Sequence, residues 1–507
     1  MLELQNVTIQ MRGDDRVLVE NFSFALADTD KAVIIGEEGN GKSTLLEFIY
    51  EKELIGDYCD FSGTVRNDGK AGYLTQTASD EMLGTAVSDL FADKEYYTHV
   101  RTLEALGIPL ETIFSERKLS TFSGGEKVKL RLALILMDDP DVLLLDEPTN
   151  DLDIEALEWM EGFIKSSKIP ILFVSHDETL IENCANVIIH MEQLGGKKTP
   201  RITVVRCSYK EYLEFRAGSF EHQRMVAQKQ RDDYDRQMER WRQIYNKVDH
   251  EQSSISRGDP SGGRLLKKKM HSVLSLGKRL EREAEDFVDF PETETAILTK
   301  FDPVISVPAG KTVIDIKLDR LQAGDILLAE NVNLFVAGPE HVGITGRNGA
   351  GKSTLLDIVW NELKDRKDIT AAYMPQDYLD VLDYDLSPVE YLAKHYSKDE
   401  VTKARTYMGS MRFTRPEMTG KIGELSGGQK AKILFLDMVL KNANVLVLDE
   451  PTRNFSPLSC PVIRDALRSY HGAVISISHD RKYLAEVCDR VLELDEKGLH
   501  ETYQYRR

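Results

Sequence analysis

Gly36-Glu37-Glu38-Gly39-Asn40-Gly41-Lys42-Ser43-Thr44 returns 310 residues later as Gly346-Arg347-Asn348-Gly349-Ala350-Gly351-Lys352-Ser353-Thr354. Both copies fit GxxxxGK[ST]. The run Ala32-Val-Ile-Ile-Gly36 reads as a buried strand, and Lys42 to Tyr50 as the helix it feeds. A glycine-rich turn between a strand and a helix cradles phosphate, because backbone N–H groups and the helix N-terminus face the anion at a closeness glycine allows. Lys42 and Lys352 are placed to reach the β- and γ-phosphates, and Ser43 and Ser353 to ligate Mg²⁺.

Three further motifs repeat in the same order. Ser123-Gly124-Gly125-Glu126 returns as Ser426-Gly427-Gly428-Gln429. Leu145-Asp146-Glu147-Pro148-Thr149 returns as Leu448-Asp449-Glu450-Pro451-Thr452, and Ser175-His176-Asp177 as Ser478-His479-Asp480. These three shift by 303 residues, and the internal spacings of 23 and 29 are identical in both copies. The chain is therefore two homologous modules, 1–207 and 300–507, around a connecting segment, 208–299. Val142-Leu-Leu-Leu-Asp146 and Ile171-Leu-Phe-Val-Ser175 are further buried strands. Short apolar runs alternating with helical patterns predict an α/β fold with a largely parallel sheet in each module.

The chemistry follows from where the polar residues fall. Asp146 and Asp449 end apolar strands, where a carboxylate is costly without a cation, and Mg²⁺ is the natural partner. Glu147 and Glu450 come next and are placed to orient or deprotonate an attacking water. His176 and His479 are candidates for contacting the γ-phosphate. Gln76 and Gln376 are candidate metal or water ligands. The cofactors expected are ATP and Mg²⁺. The cofactor-binding set comprises Gly36, Gly39, Gly41, Lys42, Ser43, Thr44 and Gln76, with Gly346, Gly349, Gly351, Lys352, Ser353, Thr354 and Gln376 as their counterparts. No aromatic residue upstream of either cradle is identified as a base-stacking partner; Met11-Arg12 occupies that region in the first module.

Composition bounds the rest. The chain has 507 residues, 41% apolar and 29% charged, as in a globular protein. The net charge of −19 excludes a generally basic nucleic-acid coat and leaves only a local basic contact. No apolar run is long enough to span a membrane, and the N-terminus does not read as a signal peptide. Five scattered cysteines without a CxxC pair predict reduced thiols, hence a cytoplasmic protein.

The connecting segment carries the local basic contact. Tyr234, Met238, Trp241 and Tyr245 are spaced 4, 3, 4, and Met270, Val273, Gly277, Leu280, Ala284 and Phe287 are spaced 3, 4, 3, 4, 3. Two such heptad stripes predict an antiparallel helical hairpin, with a helix over 220–246 and a tip loop over 247–265. Over 252–279 seven basic residues oppose one acid, a net +6. Arg257, Arg264, Lys267, Lys268 and Lys269 are the candidate RNA contacts.

The Ser-Gly-Gly segments, with the other motifs, resemble the signature of ATP-binding cassette (ABC) ATPases across about 400 residues. The resemblance implies two tandem ABC-type P-loop ATPase domains joined by an antiparallel α-helical hairpin linker, closing head to tail over two ATP molecules. Ser426, Gly427 and Gly428 would then complete the Lys42 site, and Ser123, Gly124 and Gly125 the Lys352 site. Two cassettes without membrane spans resemble the ABC-F family. That resemblance implies ATP hydrolysis and a bacterial-ribosome partner, with the linker in the exit-tRNA site near peptidyl-site tRNA and peptidyl-transferase RNA. It also implies a monomer with intramolecular domain pairing. The first module reads Asn150-Asp151-Leu152-Asp153 after Pro-Thr, whereas the second reads Arg453-Asn454-Phe455-Ser456-Pro457 without the acids, so the two sites are expected to differ. The second run resembles the antibiotic-resistance branch acting on lincosamides, streptogramins A and pleuromutilins. The alternatives are an ABC-F translation factor without a drug role, and a non-ribosomal soluble ABC ATPase.

Overall fold

The computed structural model describes residues 2–13, 16–194, 199–254, 260–285, 287–288, 290, 301, 305–393, 395, 397–411 and 413–503. They divide into two units, one formed by 1–209 with 294–507 and the other by 210–293.

In the larger unit each module builds a six-stranded sheet. The first has strands β3 (Lys31–Ile35), β5 (Ala71–Leu74), β6 (Val142–Asp146), β7 (Ile171–Val174), β8 (Val187–Leu194) and β9 (Thr199–Val205), in spatial order β5-β6-β7-β3-β8-β9. The second repeats this order with β13 (Ala371–Met374), β14 (Val445–Asp449), β15 (Ala473–Ile477), β12 (His341–Thr345), β16 (Arg490–Asp495) and β17 (Gly498–Thr502). All pairings are parallel except the last in each sheet. β3, β6, β7, β12, β14 and β15 are buried at every position. Helices covering both faces demand that pattern, and it explains the unbroken apolar runs. The α/β expectation holds in both modules. The phosphate-cradle turns follow β3 and β12, which have neighbours reached by crossovers on either side, the place where open α/β sheets bind ligands.

Each module adds an antiparallel sheet. In the first, β1 (Leu2–Met11) lies between β2 (Val17–Leu26) and β4 (Cys59–Asn67). In the second, β10 (Thr312–Ala323) pairs only with β11 (Ile326–Ala337) among the described residues. The ten extra residues separating Lys42 from Gln76, 34 against 24 for Lys352 to Gln376, therefore carry β4.

The smaller unit is an antiparallel helical hairpin whose helices run Tyr209–Ser254 and Pro260–Glu285. The first helix begins earlier and ends later than the expected 220–246, and most of the expected loop at 247–265 is helical. The run Val248 to Ser254 contains no Gly or Pro to stop a helix, and Ser253 and Ser254 donate their hydroxyls to the His250 carbonyl. Pro260 stands at the first position of the second helix, where a missing N–H costs nothing. Arg257 lies outside the described residues. Arg264, Lys267, Lys268 and Lys269 are exposed on the second helix. The predicted stripe is realised: Val273, Gly277 and Leu280 are buried, and Met270, Ala284 and Phe287 half-buried. Trp241 donates its indole N–H to the Val273 carbonyl at 2.7 Å. A Cβ on Gly277 would stand 3.0 Å from three atoms of the Trp241 ring.

Replacing Gly277 with Leu should therefore force the helices apart and destabilise the hairpin by about 1–3 kcal/mol. Trp241 fluorescence, followed through thermal unfolding with Trp159 and Trp360 changed to Phe, should shift to a lower midpoint; an unchanged midpoint would contradict this packing.

Candidate nucleotide sites

Gly36 and Gly346 let the chain turn out of β3 and β12. Their φ values are +153° and +141°, and a Cβ would stand 2.3 Å from the Met191 carbonyl oxygen or 2.4 Å from that of Leu494. No other residue fits either passage. Gly41 and Gly351 precede the helices that open with Lys42 and Lys352. The Lys42 ammonium is buried and donates to the carbonyls of Gly36 at 3.0 Å and Glu37 at 3.2 Å. Lys352 does the same to Gly346 at 2.8 Å and Arg347 at 2.9 Å. Burial lowers both lysine pKa values, opposed by the carboxylates around them.

Ser43 Oγ donates to Asp146 at 3.1 Å, and Ser353 Oγ to Asp449 at 3.0 Å. Burial pushes the Asp146 pKa up to about 6 against the Ser43 hydrogen bond, and raises that of Asp449 for the same reason. A desolvated carboxylate beside a hydroxyl is a donor set that fits a hard cation such as Mg²⁺. No group of three or more His, Cys, Asp or Glu among the described residues could hold a metal alone, so phosphate and water oxygens must complete the shell.

Glu147 and Glu450 hold φ of +47° and +51°, in the left-handed region that non-glycine residues enter at a cost. Their surroundings differ. His176 Nε2 lies 2.9 Å from Glu147 Oε1, and its Nδ1 donates to the Phe455 carbonyl of the other module at 2.8 Å. Burial disfavours the Glu147 carboxylate, but His176 and Lys42 outweigh it and its pKa falls below the usual value. In the second module His479 Nε2 is 3.9 Å from Glu450 Oε1, and both His479 Nδ1 and Glu450 Oε1 are buried without a hydrogen-bond partner among the described residues. Burial, with repulsion from Asp449, raises the Glu450 pKa to about 8. Burial and Lys352 lower that of His479 to about 3.

The two signature segments are used differently. Gly124 lines a cavity of about 620 Å³ with Lys352, Ser353, Thr354, Gln376, Asp449, Glu450, His479, Gly349 and Gly351. Of the expected Ser123, Gly124 and Gly125, Gly124 alone lines this cross-module cavity. Lys42, Ser43, Thr44, Gln76, Gly39, Gly41, Glu147 and His176 line a second cavity of about 390 Å³, without Ser426, Gly427 or Gly428. There Glu38 stands between the halves. Its Oε2 accepts from the Gly428 N–H at 2.5 Å, and Ser426 and Gly428 face Glu37 and Glu38 in a small separate cavity. Ser123 and Ser426 cap their helices through capping boxes, and Gly125 packs on Ala156.

Sequence reasoning singled out the Arg453 run but missed Glu38 and Asn348. Glu38 and Asn348 occupy the same place in the two cradles. Asn348 donates through its amide to the Asp151 carbonyl at 2.5 Å and through its backbone N–H to Asp153 at 3.3 Å. Arg453, where the first module has Asn150, makes an ion pair with Asp151 at 2.7 Å. The signal was present in the mismatched letters of the aligned copies. Towards the expected base side, Met11, Leu18 and Tyr58 line the Lys42 cavity, and Ala323 and Leu328 the Lys352 cavity.

A family model described as ABC transporter matches residues 19–150 and 329–453. The ribosome protection protein VmlR of Bacillus subtilis (strain 168) is 28% identical over 517 residues, covering 98% of this chain and 87% of VmlR. The probable ATP-binding protein YheS of Escherichia coli (strain K12) is 29% identical over 525 residues, covering 95% and 77%. ABC transporter F family member 5 of Arabidopsis thaliana is 28% identical over 398 residues, covering 76% of this chain but only 53% of the plant protein. Among solved structures, an archaeal ribosome recycling factor, aABCE1, in complex with the stalk protein aP1, matches with a TM-score of 0.59 at 17% identity, covering 98% of this chain and 90% of that one. That likeness concerns the fold. The matched modules and the repeated motifs make this chain a member of the ATP-binding cassette family. It is an ABC-F ATPase, hydrolysing ATP to ADP and phosphate. Among the described residues no helix is long and apolar enough to cross a membrane.

Changing Lys42 and Lys352 together to Ala should lower affinity for a fluorescent ATP analogue at least tenfold, and EDTA should reduce turnover of the unaltered chain to background. Turnover that survives EDTA would contradict the cation assignment.

Proposed function

We propose that this ATPase binds the bacterial ribosome in its ATP-closed state, protects it from antibiotics at the peptidyl-transferase centre, and leaves on hydrolysis. The observation that carries this reading is the near full-length similarity to VmlR, a ribosome protection protein by name. The exposed Arg264, Lys267, Lys268 and Lys269 support it. They set positive charge on a hairpin in a chain of net charge −19, which suits a directed contact with an RNA backbone. On this reading the hairpin enters the exit-tRNA site and approaches peptidyl-site tRNA.

In the catalytic cycle, Lys42 and Lys352 hold the β- and γ-phosphates, and the cradle N–H groups fix them. Ser43 with Asp146, and Ser353 with Asp449, would hold Mg²⁺, which would supply positive charge against that developing on the phosphate oxygens. Gln76 and Gln376, which line the two cavities, would sense that shell. Glu147 and Glu450 accept the proton of the attacking water, and His176 and His479 orient the γ-phosphate. Glu147, held ionised by His176 and Lys42, is ready as a base; Glu450 becomes so when its buried carboxyl loses its proton.

Glu147→Gln with Glu450→Gln should slow hydrolysis at least 100-fold and make the protein co-sediment with ribosomes when ATP is present. Absence of co-sedimentation would sink the ribosomal reading and favour a non-ribosomal ATPase. Lys267→Glu with Lys268→Glu and Lys269→Glu should leave basal ATP turnover unchanged but weaken ribosome binding about tenfold or more at physiological salt. Growth of a susceptible host with lincosamides, streptogramins A or pleuromutilins, with and without the gene, separates protection from a translation role without drugs.

A further inference from the structure

Four charged residues bridge the two cassettes away from the nucleotide cavities. Arg464 meets Glu178 through two hydrogen bonds of 2.5 and 3.2 Å, with both side chains about 95% buried. Arg481 meets Glu161 at 3.0 Å, with both side chains more than four-fifths buried. The helices Glu178–Cys184 and Arg481–Val487, which follow His176-Asp177 and His479-Asp480, carry one member of each pair. The others lie on Ile154–Ser166 and Cys460–Arg468.

The internal repeat gives the pairs their meaning. At the 303-residue shift Glu161 corresponds to Arg464, and Glu178 to Arg481. Each pair is the image of the other under the exchange of modules. Yet the first cassette supplies the acid both times, and the second supplies the arginine both times. Two first cassettes meeting in the same geometry would set Glu161 against Glu178, and two second cassettes Arg464 against Arg481. Like charges in such desolvated positions are prohibitive, whereas opposite charges with bidentate geometry are accepted. Lys482, at 3.4 Å from Glu178 and 2.7 Å from Glu182, extends the pattern across the interface. Glu486 at 2.9 Å and Asp480 at 4.0 Å from Arg464, and Lys165 at 2.9 Å from Glu161, belong to the same cassette as the residue they face.

We infer that these four residues form a charge code that admits pairing of the first cassette with the second and rejects pairing of like cassettes between chains. The surface around Glu161 and Glu178 fits a cassette that presents two arginines at the corresponding places. This inference stands on the paired cassettes alone and does not need the ribosomal reading.

One substitution should rewrite the code. Arg481→Glu leaves Arg464 in place, so the second cassette becomes complementary to another copy of itself, with Arg464 of one chain meeting the introduced carboxylate of the next. Glu178→Arg does the same for the first cassette. Each full-length variant, slowed by Glu147→Gln and Glu450→Gln, should acquire a dimer mass in light scattering when ATP is added, while the same background without the change stays monomeric. Turnover in the otherwise unaltered chain should fall about tenfold or more for Glu161→Arg or Arg481→Glu alone, and return to within about threefold when both are present. Thermal melts without nucleotide identify variants that fail to fold; for those, Glu161→Gln and Arg481→Gln complete the cycle, with non-additive losses expected. Variants that fold yet stay monomeric with ATP, or an exchange no more active than its worse single change, would overturn the code.

Discussion

The imidazole of His176 joins two things that need not have been connected. One nitrogen lies against Glu147, and the other donates to the Phe455 carbonyl of the opposite cassette. The carbonyl can only accept, so Nδ1 donates to it, and that bond holds the ring with Nε2 beside the carboxylate. The charge state of the buried Glu147 thus depends on contact with the other half of the chain. Where that contact is missing, at His479, the ring sits further from Glu450 and the carboxyl drifts toward its neutral form. Two copies of one motif set thus differ in electrostatics: at Glu147 the imidazole and Lys42 outweigh burial, whereas at Glu450 burial and Asp449 prevail.

A second difference acts on the phosphate side. Glu38 puts a carboxylate on the Gly428 N–H, a donor that would otherwise face an incoming anion. Asn348, its counterpart, is neutral and is held by the Asp151 carbonyl and the Asp153 carboxylate, which leaves Gly124 open to the Lys352 cavity. Carboxylate and phosphate compete for the same kind of N–H, so the two cradles do not offer the same welcome to a nucleotide.

Much of this was legible because repetition and burial leave strong marks. A strand covered on both faces must be apolar throughout, and a phosphate turn must contain glycine, so β3, β6 and the Gly36–Thr44 stretch announced themselves. The hairpin stripe was legible for the same reason, down to Gly277 under Trp241. The helix ends were not, because Val248 to Ser254 is polar enough to read as a loop yet contains nothing that breaks a helix. Strand β4 was hidden, since its alternation is mostly exposed and only a spacing difference of ten residues betrayed it. The asymmetry of the sites could be suspected from the Arg453 run, but Glu38 gave no pattern of its own. Its effect depends on a partner 390 residues away, which no local rule can supply.

The buried ion pairs bear on why two homologous cassettes in one chain keep to each other. Desolvating an arginine and a glutamate costs much of what their attraction returns, so Arg464 with Glu178 is weak ground for claiming stability. An apolar pair of similar size would serve that end at least as well. What an apolar pair cannot do is distinguish one cassette from its homologue, because hydrophobic burial has no sign. Segregating acids on one copy and arginines on the other makes the wrong pairing costly rather than merely less favourable, and that asymmetry of cost is what specificity requires.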